Sequence, residues 1–131
     1  MVYYYGYACF VCTVAKFFDL SPVDEKEITA LKVTLYSNLA ACYIKLENWD
    51  QVVRYTTDAL TLDDKNSKCY FRRSAAWEAK KEWEKALKDA QTCVEVADHA
   101  DKAFDVALRR IKKEMEKIKG KEKKMAQKMF S

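Results

Sequence analysis

The feature that most limits how this chain can fold is a self-similarity at an interval of 34 residues. At that offset Asn38 pairs with Arg72, Ala40 with Ser74, Tyr43 with Trp77, Trp49 with Trp83, Val52 with Ala86 and Ala59 with Cys93. Small residues stand opposite small ones and aromatics opposite aromatics, on a background of helical periodicity. A repeat of this length is a single helix pair, which cannot bury its apolar face alone and must stack on a neighbour. The stretch from Tyr36 to Cys93 is therefore expected to form an all-α stack, and a stack offers a continuous surface for binding.

Composition agrees and removes several alternatives. Two glycines and one proline in 131 residues leave little turn chemistry for a sheet protein. A sequence 50% hydrophobic and 34% charged has the usage of packed amphipathic helices. The net charge of +4 is unevenly placed, with ten Lys or Arg against three Glu between Arg109 and Lys128. That run reads as a solvated helix face, with nucleic acid, anionic lipid or an acidic peptide as alternative readings. It carries no base-stacking aromatics, so no nucleic-acid partner is expected.

Cys9, Cys12, Cys42, Cys69 and Cys93 are an odd number with one close pair, which argues against a disulfide scaffold. The thiols are read as small core hydrophobes. Cys9 and Cys12 form a C-x-x-C, but no second Cys/His pair stands at ligand spacing and His99 is the sole histidine. No metal site and no cofactor is expected. His99 completes no nucleophile–base pair and there is no Gly-rich phosphate loop, so no catalytic residue is assigned.

Taken in order, residues 1–20 carry no charge before Lys16 but lack the basic start of a signal peptide and the length of apolar run that a span requires. They read as the second helix of an incomplete first repeat, whose open apolar face a second copy or a swapped element would cover. Ser21 and Pro22 break that helix. Two repeats then occupy residues 21–98, with helices expected over 24–46, 49–62, 67–80 and 82–97. Acids at 24–27 favour the first helix start, Ile28, Leu31, Leu35, Leu39 and Cys42 form its apolar stripe, and Asn48 caps the next helix. Residues 99–131 are expected to form a long capping helix, periodic through Ala103, Val106, Ala107, Ile111, Met115 and Ile118, with no turn signal before Gly120 and a basic half projecting into water. Trp49, Trp77, Trp83, Tyr43 and Tyr70 are read as packing residues.

The 34-residue helical period is the signature of the tetratricopeptide repeat. The segments LYSNLAACYIKLENW, KCYFRRSAAWEAKKEWEKALKD and KEKKMAQKMF resemble the tetratricopeptide domains of large immunophilins, in which such repeats follow a peptidyl-prolyl isomerase domain of cyclophilin or FKBP type. The resemblance covers about residues 24–131 and implies a helix-pair solenoid with a long C-terminal capping helix. It also implies a cytoplasmic co-chaperone that grips the C-terminal Glu-Glu-Val-Asp of heat-shock protein 90 or 70 with a carboxylate clamp. By the resemblance, Asn38, Lys68 and Arg72 are clamp residues in a groove formed by the first helices of successive repeats. Lys68 and Arg72 are four apart on one helix face, and Asn38 holds Arg72's repeat position one unit earlier. Lys and Arg neutralise a carboxylate and the planar guanidinium can engage it twice, which suits capture of a peptide terminus. The family's clamp also draws a Lys and an Asn from a first helix for which this chain has no residues, and its usual Tyr beside the basic tail is here Ala126.

These readings lead to a non-catalytic interaction module with no membrane segment. Any isomerase activity would lie outside the chain. The alternative is a self-associating structural module with an incomplete clamp, its groove filled by another copy and binding no peptide; a homodimer through the apolar N-terminal segment is the other partner considered.

Overall fold

The computed structural model describes residues 22–131. The expected remnant repeat at residues 1–20, and the dimer contact assigned to it, lie outside the described residues. Among those described there are five α-helices and no strand: α1 (Pro22–Lys45), α2 (Trp49–Leu62), α3 (Ser67–Ala79), α4 (Trp83–Val96) and α5 (Lys102–Met129).

Short polar turns set the pairing. Glu47 and Lys81, 34 residues apart, take the same left-handed conformation with φ of 55° and 60°. The next amide in each turn donates back to its helix, Asn48 N to Tyr43 O at 3.0 Å and Glu82 N to Trp77 O at 2.9 Å. Glycine usually fills this position; here the repeat closes both turns without one. α3 and α5 start on side-chain caps, with Asn66 Oδ1 accepting from Cys69 N at 3.1 Å and Asp101 Oδ1 from Ala103 N at 2.9 Å.

Each helix packs on the next, and α1 also touches α3, as stacking of α1–α2 on α3–α4 requires. The apolar clusters cross the boundaries between units. Ala76 of α3 sits with Leu39, Ala40, Val52 and Tyr55 of the first pair, and Tyr43 and Trp49 pack against that group. Cys69 of α3 joins Val33, Ala59 and Leu60, with Tyr70 beside them. Ile111 of α5, fully buried, meets Ala86 and Ala90, flanked by Trp77 and Trp83. The aromatic signposts are thus packing residues, and the first half of α5 closes the open end of the second pair.

One expectation about the helices needs correction. Leu31, placed on the α1 apolar stripe, is 47% exposed, whereas Val33, Ser37 and Ala40 are buried with Leu35 and Leu39. A helix wedged between α2 and α3 buries two faces, so a single stripe misdescribes it. The last helix runs through Gly120 to Met129. One exposed glycine costs about 1 kcal/mol against alanine, and the helix formers around it tolerate that. Beyond Ile118 the helix is exposed throughout, with Met125 at 65% and Met129 at 80%.

Equivalent positions also use different chemistry in the two units. Tyr43 and Tyr55 stack, with centroids 5.5 Å apart and planes 8° apart. Their counterparts, 34 residues on, are Trp77 and Asp89, joined by a hydrogen bond from Nε1 to Oδ2 at 3.1 Å. Asp89 is buried and accepts as well from Arg73, Nε at 2.6 Å and Nη2 at 2.7 Å.

Candidate functional site

The three residues singled out from sequence lie on α1 and α3, the first helices of the two described pairs. Asn38 and Lys68 are exposed. Arg72 is half-buried, and its Nη1 donates to the Ser37 carbonyl at 2.7 Å and to Ser37 Oγ. That contact brings the guanidinium across to α1, against the residue preceding Asn38. On its own helix Arg72 stands one turn beyond Lys68, with the i, i+4 spacing that places two side chains on one face. Arg72 thus reaches α1, while Lys68 shares its face of α3 and Asn38 stands exposed beside Ser37 on α1.

Local sequence explains the arrangement. Asn66 caps α3 and sets where it begins, so that Lys68 falls in its first turn and Arg72 in its second. Cys69, between them in sequence and fully buried, anchors α3 against the first pair, which turns its neighbours toward the surface. Burial pushes the Cys69 thiol above its ordinary value, against a hydrogen bond with Ser37 and the positive charge of Arg72. Ser37 thus touches both Cys69 and Arg72. The next residue, Arg73, faces the other way and spends its fork on Asp89, which holds the guanidinium above its already high value. Among the described residues the Nε–Nη2 edge of Arg72 has no acceptor, whereas that of Arg73 is taken by Asp89.

An open hollow of about 650 Å³ lies beside these residues, lined by Lys26, Thr29, Val33, Thr34, Leu62 and Asn66 among others. Thr34 is one helical turn before Asn38, and Asn66 is two residues before Lys68. Its charged lining is Glu25 and Asp63 against the one cation Lys26, over an apolar floor at Val33 and Leu62. Chemically, Lys68 and Arg72 offer positive charge to an anionic group, and the hollow beside them is of mixed charge.

Sequence reasoning did not single out Ser37 or Asp89. Ser37 precedes Asn38 but has Phe71 as its repeat counterpart, so the 34-residue comparison gave it no weight. Asp89 replaces a tyrosine, and nothing in its neighbourhood distinguishes it from the exposed acids of α4. Among the described residues no group of His, Cys, Asp and Glu is arranged to hold a metal, and no helix is long and apolar enough to cross a membrane.

No family model matches the chain. It is 35% identical over 117 residues to peptidyl-prolyl cis-trans isomerase D of Kluyveromyces lactis, an alignment covering 86% of this chain and 31% of the relative. It is 32% identical over 100 residues to the Hsp70/Hsp90 co-chaperone CNS1 of Saccharomyces cerevisiae, covering 76% of this chain and 26% of that protein. The chain thus spans a third or less of these relatives. Among solved structures, the TPR domain of Arabidopsis OM64 superposes with a TM-score of 0.62 at 28% identity, covering 67% of this chain and 72% of that one. The first TPR of Spaghetti (RPAP3), solved with the HSP90 peptide SRMEEVD, shares the fold with a TM-score of 0.62 at 19% identity, covering 87% and 91% of the two chains. The chain is a tetratricopeptide-repeat domain of the kind carried by immunophilin-type co-chaperones.

Proposed function

We propose that the chain is a non-catalytic module that holds the acidic C-terminal Glu-Glu-Val-Asp tail of heat-shock protein 90 or 70, with Asn38, Lys68 and Arg72 as the carboxylate clamp. The observation that carries this reading is the bond from Arg72 to Ser37, which brings a guanidinium to the residue beside exposed Asn38, with exposed Lys68 one turn away. The likeness to CNS1, an Hsp70/Hsp90 co-chaperone, supports the partner class, and the Spaghetti domain offers a precedent for such a peptide on this fold. The compartment that fits such a partner is the cytoplasm.

The physical basis is charge neutralisation with geometry. A peptide ending in Asp presents two carboxylates within one residue, and Lys68 and Arg72 answer them with a point charge and a planar fork. Asn38 adds a neutral donor that does not repel either cation. A charge-assisted hydrogen bond contributes about 1.5–3 kcal/mol, so Arg72→Ala should weaken binding roughly ten- to a hundredfold.

Calorimetric titration with a peptide ending in Glu-Glu-Val-Asp, with the same peptide amidated at its C-terminus, and with Arg72→Ala tests the proposal. The free-acid peptide should bind wild type and lose affinity in both controls. Equal binding of the two peptides would refute carboxylate capture. No heat with either, together with a sedimentation profile that shifts with concentration, would favour self-association through the apolar surface instead.

A further inference from the structure

The chain carries two adjacent arginines on α3, and their forks are used in opposite ways. Arg73 gives its Nε and Nη2 edge to the Asp89 carboxylate, at 2.6 and 2.7 Å, and Nη1 reaches Thr57 Oγ1 at 3.3 Å. Arg72 is held at Nη1 alone, and both acceptors belong to Ser37, its carbonyl oxygen and its hydroxyl. Among the described residues, none accepts from Arg72 Nε or Nη2. Ser37 itself is 6% exposed, so it is a buried anchor and not a surface contact.

We infer that Ser37 is a positioning residue of the carboxylate site: by accepting from Arg72 Nη1 at both its carbonyl and its hydroxyl it fixes the guanidinium so that the Nε–Nη2 edge is the one offered to a ligand. This rests on the carboxylate reading above. The Arg73–Asp89 pair shows, one residue further along, that this same edge matches a carboxylate in two parallel bonds. A free arginine loses rotamer freedom when a ligand captures it, whereas one already pinned has lost it in the unbound state. The helical carbonyl of Ser37 would hold only one hydrogen of Nη1. The hydroxyl supplies the second point, which sets the plane of the fork and not merely its location.

The competing account is that the Ser37 hydroxyl, which also meets the Cys69 thiol, serves only the packing of α1 on α3. The two accounts separate in a double-mutant cycle. Ser37→Ala should weaken binding of a peptide ending in Glu-Glu-Val-Asp about three- to tenfold. In an Arg72→Lys background, which has no fork to orient, the same change should alter binding by less than about twofold. An equal loss in both backgrounds would assign Ser37 to packing and overturn the inference.

The second readout needs no peptide. In the unliganded chain, ¹⁵N relaxation of the Arg72 Nε–H should report an ordered side chain in wild type and a mobile one in Ser37→Ala. Unchanged order would also overturn the inference. If wild type bound the free-acid and amidated peptides alike, the carboxylate reading itself would fail and take this one with it, and the relaxation data would show whether the pin exists regardless.

Discussion

Replacing Asp89 by Ala removes the acceptor that joins three side chains between α3 and α4. The carboxylate is 5% exposed and receives Arg73 Nε at 2.6 Å, Arg73 Nη2 at 2.7 Å and Trp77 Nε1 at 3.1 Å. Breaking a fully buried pair by deleting one member costs about 3–5 kcal/mol, because the other charge is left without a partner. Arg73 keeps 20% of its side chain in water, so solvent recovers part of that loss. The Trp77 N–H adds an unpaired donor, at about 1 kcal/mol. A net destabilisation of about 2–4 kcal/mol follows, equivalent to a fall in Tm of roughly 6–20 °C for a domain of this size. Urea unfolding followed by circular dichroism and by tryptophan fluorescence measures it, with Asp89→Asn expected to lie between Ala and wild type. Asp50→Ala, which removes the exposed partner of Lys80, should leave the midpoint where it is. A loss below about 1 kcal/mol for Asp89→Ala would put the pair in the class of surface ion pairs. It would mean that the α3–α4 crossing is held by apolar packing alone.

Ile111→Ala opens a hole where α5 meets Ala86 and Ala90, small residues that cannot fill it, so chemical denaturation should show a loss of about 2–5 kcal/mol. Removing residues 123–131 deletes only exposed helix, and the unfolding midpoint should stay within about 0.5 kcal/mol of wild type. Burial, helped by the nearby Asp101 charge, pushes the Cys93 thiol up to about 12, and burial raises Cys69 as well. At pH 8 a thiol reagent read by peptide mapping should therefore label half-buried Cys42 well before either. For Cys93 the folded state keeps its proton where the unfolded chain has lost it, so stability falls as pH rises from 9.0 toward about 12. Cys93→Ser should flatten that slope.

Much of the architecture was present in local pattern. The 34-residue interval between Tyr43 and Trp77, or Trp49 and Trp83, required a helix pair repeated, and polar turns at Glu47–Asn48 and 63–66 marked the boundaries. The site was partly readable for the same reason: Lys68 and Arg72 share a face by helical spacing, and Asn38 shares a repeat position with Arg72. Periodicity reaches only what one helix does to itself. It placed Leu31 on the buried stripe because it counts one face, whereas α1 has neighbours on two.

Sequence by itself determined that this chain is a stack of helix pairs with a cationic corner on their first helices, since spacing at 3.6 and at 34 residues is a property of the chain order. Tertiary structure alone decided which of two neighbouring arginines has its fork taken by a carboxylate. Arg72 and Arg73 are the same residue type side by side, and their surroundings come from elsewhere, Ser37 on α1 for one and Asp89 on α4 for the other. Those partners lie 35 and 16 residues away, and only the stacking of helices brings them to the guanidinium groups.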